Sequence, residues 1–132
     1  LFLQPSIFPL RHWTGMWRVP VFWEDDLQWR VAGDWDYSRY RSVFFTPGLK
    51  IIDAHPLIQA LNIPDQAFYD LFRERTRDLS ADDLAKNRYQ GAGANTFVTR
   101  MIEDVLDSGR RFERLSEVTR LIDKTWSEQE RS

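Results

Sequence analysis

One imidazole and a run of three acids are the residues of this chain best suited to chemistry. His55 is one of two histidines in 132 residues, and an imidazole takes up or releases a proton near neutral pH. Pro56 biases His55 away from helical backbone, so the histidine is expected on a loop just past a strand at residues 49–53. Glu24-Asp25-Asp26 closes another expected strand, at residues 16–23. A carboxylate beside His55 would raise its pKa and hold one tautomer. Arg18, entering that aromatic strand, needs an acidic partner of its own. The plain readings of the same residues are a loop histidine bonded to nearby backbone and a solvated acidic turn.

Other chemistries find less support. Glu24, Asp25, Asp26, Asp34, Asp36 and His55 offer oxygen and nitrogen donors. Yet there is no HExxH, no histidine pair at helical spacing and no EF-hand loop, so no metal is expected within this chain alone. The absence of cysteine excludes disulfides, thiolate metal sites and a thiol nucleophile. A Ser-His-Asp triad lacks the GxSxG elbow that would favour it. Gly91-Ala92-Gly93-Ala94-Asn95 precedes an expected helix but lacks the lysine of a phosphate loop. Some of the six tryptophans could stack on sugar rings, although such rings more often fill a core.

The elements that must position these residues change character along the chain. Twelve of the 19 aromatic residues fall within the first 45 positions. Pro5, Pro9 and Pro20 break helices there, and β-favouring side chains predict strands at 16–23, 43–45 and 49–53, with a Thr46-Pro47-Gly48 turn. The second half is helical. Asp65 caps a helix with Ala67, Phe68, Leu71 and Phe72 on one face, and Ser80 with Asp83 forms a capping box. Phe97, Val98, Met101, Ile102, Val105 and Leu106 make the clearest amphipathic stripe, stopped by Gly109. A closing strand at 111–115 and a helix capped by Ser116, with Val118, Leu121, Ile122 and Trp126 inward, complete the expectation. Strands alternating with helices imply an α/β fold of parallel strands, whose reactive residues gather at the strands' C-terminal ends. Residues 1–126 are expected to be one domain or the C-terminal part of one, with 127–132 a disordered tail.

The net charge of −2 supplies no field for nucleic acid or anionic membrane, and no apolar run approaches the roughly 18 residues of a span. A cytoplasmic location is suggested by the lack of a signal pattern. The apolar, Met-less opening Leu1 to Leu3 suggests a fragment, a processed chain or one part of a split domain.

Three segments, taken in order, resemble NodB-type polysaccharide deacetylases of the WbmS-like branch. Arg18-Val19-Pro20 with Phe22-Trp23-Glu24-Asp25-Asp26 is similar to that family's R-x-P motif. Leu49 to Pro56, followed by Ala60-Leu61-Asn62, is similar to its G-L-x-x-x-x-H-P segment ending in Leu-Asn, with one residue more between the leucine and the histidine, and Gly109 to Val118 resembles its closing strand and helix. The resemblance implies a partial, distorted β/α barrel, the C-terminal half of a deacetylase domain that removes N- or O-acetyl groups from carbohydrate. It implies His55 as the acid that protonates the leaving group, Arg18 as the holder of the base, Asp25 or Asp26 as the orienter of His55, and Pro20, Trp23 and Asn62 beside the sugar. It also implies a divalent metal, zinc as a rule, held in the complete domain by an aspartate and two histidines of early motifs. Those motifs, an aspartate pair and an H-x-x-x-H, have no counterpart upstream of Arg18; a preceding segment or second chain would carry them. Alternatives are a non-catalytic carbohydrate-binding or interaction module on the same scaffold, and an unrelated hydrolase using His55 with the acids.

Overall fold

The structure is a computed structural model that describes residues 8–129, with side chains described through Thr125. The opening Leu1 to Leu3 and the end of the expected tail, 130–132, lie outside the described residues. The elements run β1 (Leu10–Arg11), β2 (Trp17–Arg18), β3 (Trp23–Glu24), α1 (Asp25–Leu27), α2 (Arg41–Phe44), β4 (Ile52–Asp53), α3 (Pro56–Leu61), α4 (Gln66–Asp70), α5 (Ala81–Asn87), α6 (Ala94–Asp107) and α7 (Leu115–Gln129). The chain is thus mixed α/β with short strands. Among the described residues no barrel closes, and no helix is long and apolar enough to cross a membrane.

The strand expected over 16–23 is two strands in two sheets. β2 turns back antiparallel on β1 through the tight turn at Gly15, whose φ of 89° suits glycine. Pro20, without an N–H, interrupts the run, and the chain re-enters a sheet only at β3. There Trp23 pairs with Ile52 and Glu24 with Asp53, in parallel, extended by the Phe22 amide donating to the Ile51 carbonyl at 2.8 Å. The expected pairing of parallel strands is therefore present, over two residues per strand.

Residues 43 and 44 end α2 and Phe45 caps it, instead of forming a strand, and the reason is aromatic spacing. Tyr37, Tyr40 and Phe44 recur at helical intervals, and each ring lies within 6.0 Å of Phe97. Phe97, on α6, is the hub of the core: Trp23 stacks flat on it at 5.1 Å, and Trp35 meets it edge-on. The helical half matches its capping signals, although α4 ends at Asp70 and Leu71, expected on its apolar face, is 65% exposed. The Asp65 carboxylate accepts from the Phe68 amide, and Ser80 and Asp83 form both bonds of the capping box. Just past its cap Ser108, α6 is stopped by Gly109, whose positive φ lets the next amide reach back to Val105. The expected closing strand at 111–115 is loop, and α7 begins at Leu115, one residue ahead of the expected cap Ser116. Leu121, expected inward on α7, is 62% exposed.

Candidate active site

The parallel pair determines the site. Because Glu24 stands opposite Asp53, the residues that follow, Asp25 and His55, leave the sheet side by side at the strands' C-terminal ends. Asp25 opens α1; His55 is the extended residue ahead of α3, where Pro56 occupies the first helical position and suits a missing N–H.

Asp25 is fully buried, and a buried carboxylate requires hydrogen-bond donors. Three converge on it. The His55 amide donates to Oδ2 at 2.8 Å, Gln59 Nε2 donates to the same oxygen at 2.7 Å, and His55 Nδ1 lies 2.6 Å from Oδ1. A carboxylate only accepts, so Nδ1 carries the proton and Nε2 is the free nitrogen. The Asp25 hydrogen bond raises the His55 pKa above its ordinary 6.5, against the opposing effect of burial; the charges of Asp25, Asp53 and Asp26 add to the rise. Nε2 points toward Glu24, 3.9 Å from Oε1. The Glu24 pKa is raised by burial first, then by Asp26 through charge and a hydrogen bond, and by Asp53, while His55 lowers it.

Asp26 lies beside Glu24 and also pairs with Arg30 at 3.4 Å. It forms, with His55, the rim of a cleft of about 280 Å³ walled by Trp29, Arg30, Leu57 and Tyr69, a volume just under the usual ~300–1,000 Å³ of ligand pockets. Trp29 and Tyr69 sit 5.7 Å apart in its wall.

The other expected residues fall into two groups. Arg18 and Pro20 are exposed, and among the described residues Arg18 makes no hydrogen bond or ion pair with Asp25, Asp26 or His55. Trp23 and Asn62, expected beside the sugar, are instead core residues. Trp23 is 0% exposed, one face stacked on Phe97 and its N–H bonded to Gln28. Asn62 is 1% exposed and spends its amide on the Tyr89 and Gly91 carbonyls and the Thr96 N–H. Neither has a surface to offer a ligand. Conversely, Gln59, Asp53 and the Trp29–Tyr69 wall were not singled out from the sequence. Asp53, which ends the expected strand two residues before His55, carried a readable signal; Gln59, four residues after the histidine on a helix, carried a fainter one.

A protein-family model described as WbmS-like polysaccharide deacetylase matches residues 3–73, a span containing Arg18, Asp25 and His55 but not the segment from Gly109 to Val118. Among solved structures, a candidate polysaccharide deacetylase involved in O-antigen biosynthesis from Bordetella bronchiseptica, at 1.90 Å, is similar with a TM-score of 0.59 and 34% identity. The alignment covers 70% of this chain and 38% of that one. No curated protein matches.

Proposed function

This chain belongs to the WbmS-like polysaccharide deacetylase family, and on that premise we propose that it contributes the C-terminal part of a metal-dependent domain that removes N- or O-acetyl groups from sugars. The observation that carries the proposal is the His55–Asp25 pair at the ends of adjacent parallel strands, beside an open cleft. In this reading His55 is the acid. Its protonated Nε2 faces outward and gives a proton to the departing amine or alkoxide, while Asp25 holds the ring and favours the imidazolium. Gln59 and the His55 amide fix the Asp25 carboxylate in turn. Asp26 and the Trp29–Tyr69 wall would flank the sugar, and Arg18 would hold a base supplied by the rest of the domain. The short strands and the coverage of 38% of the solved relative support a partial NodB-like barrel completed by that remainder.

The metal implied by the family would supply an activated water nucleophile. An aspartate with two histidines does not come together among the described residues. The second histidine, His12, sits in the β1–β2 turn with Nδ1 against Thr14 Oγ1 at 2.7 Å. The family's ligand set therefore does not fit this chain alone, and belongs to the proposed remainder.

In the complete deacetylase, His55→Ala is expected to lower acetate release from an acetylated sugar by about 10²–10⁴-fold, with sugar binding retained. Undiminished turnover would remove the acid role from His55.

A further inference from the structure

Glu24 and Asp53 are cross-strand neighbours in the β3–β4 pair, so their side chains project from the same face of the sheet. His55 follows Asp53 by two residues and returns to that face. One ligand atom from each of the three lies within 4.8 Å of the others. The imidazole is already turned for ligation. Asp25 takes Nδ1–H from behind, which leaves the Nε2 lone pair toward Glu24 at 3.9 Å; this carboxylate-behind-imidazole arrangement is the usual support of a metal-binding histidine. Asp25 is itself 0% exposed, so the support is built into the core and not borrowed from a surface side chain. Among the described residues, neither Glu24 nor Asp53 forms an ion pair with a lysine or arginine.

We propose that Glu24, Asp53 and His55 Nε2 form a divalent transition-metal site carried by this chain itself, distinct from the aspartate-and-two-histidine set of the family. Donors bound at about 2 Å lie no more than about 4 Å apart, so the ligands must draw in by about 1 Å. Rotation of the exposed Asp53 side chain and the half-buried Glu24 side chain would supply that movement. One imidazole nitrogen and two carboxylate oxygens suit zinc, cobalt or nickel better than magnesium or calcium, which take oxygen. Water or a substrate oxygen would fill the remaining positions. A cation on Nε2 excludes a proton there, so occupancy would silence the acid role rather than assist it.

The test titrates zinc chloride into the 132-residue chain, followed by calorimetry and by ¹⁵N imidazole spectra, with no carbohydrate present. One zinc per chain should bind, shifting the Nε2 resonance of His55 and leaving His12 unmoved. Glu24→Gln and Asp53→Asn should each weaken binding by about 10–100-fold with unchanged circular dichroism, while His12→Ala binds normally. No saturable binding below about 1 mM zinc, binding that survives both carboxylate substitutions, or binding that follows His12 would overturn the site. Because acetate release plays no part in the measurement, its outcome is separate from that of the proposed deacetylase role.

Discussion

The Asp25 carboxylate does two things to His55: it removes the choice of tautomer and it favours the charged ring. Both follow from burial, since a carboxylate with no water around it concentrates its interaction on the donors it has. The His55 pKa, read from its ring-proton shifts, should therefore lie above 6.5 and fall back in Asp25→Asn, whose neutral amide supplies no opposite charge. The same linkage acts on stability. A folded pKa above the unfolded one means the folded chain binds the proton more tightly, so the contribution is complete below about pH 6.5 and is lost as pH rises through the folded value. Urea unfolding at pH 6 and pH 9 should show the native chain's advantage over His55→Gln shrinking at the higher pH. The effect is small because the ring is 44% exposed. Parallel pH profiles for the two proteins would refute the coupling.

Asn62 fastens three elements. It ends α3 in left-handed conformation at φ 52°, its amide ties down the loop carrying Tyr89 and Gly91, and its oxygen accepts the Thr96 amide in the first turn of α6. Gly93, ahead of α6, has no room for a Cβ because the Asn62 carbonyl and side chain occupy that place. Asn62→Ala should thus cost about 2–4 kcal/mol of unfolding free energy, from stranded buried groups and a strained backbone, and leave sugar affinity unaltered. A loss under about 0.5 kcal/mol would show the clamp to be dispensable. Where local chemistry decides an element, the sequence could be read. The caps at Asp65 and Ser80, the stop at Gly109 and the extended backbone of His55 before Pro56 all rest on contacts within a few residues. Where packing decides, β propensity misled: residues 43–45 look strand-like until Tyr37, Tyr40 and Phe44 are counted as a helical face on Phe97. The pairing of His55 with an acid was legible as chemistry, but the choice of Asp25 over Asp26 was not. It depends on the register that puts Glu24 opposite Asp53, and that register joins two segments far apart in the sequence.

At the scale of the molecule, polar chemistry and apolar surface are unevenly distributed. Parallel strands are ordinarily covered on both faces and belong to sheets of several strands, yet β3 and β4 pair over two residues each. A largely apolar cleft of about 670 Å³ runs along β4 as far as Asp53, between Val21, Met101, Val105, Phe112 and Leu115, with Lys50, Arg110, Arg111 and Glu113 also in its lining. Val21 is 41% exposed, Phe112 49% and Leu115 52%. An apolar hollow of this size is costly in water and takes up apolar molecules. The native chain should accordingly brighten the dye 8-anilinonaphthalene-1-sulfonate at neutral pH, without denaturant. Phe112→Asp should reduce that signal by placing a charge in the cleft wall, while unfolding free energy shifts by no more than about 0.5 kcal/mol because the ring is already half in solvent. A native chain that leaves the dye dark, or dye binding that survives both Phe112→Asp and Val21→Asp, would mean the hollow is closed in solution. The partial barrel proposed above would then lose the surface against which its remainder packs.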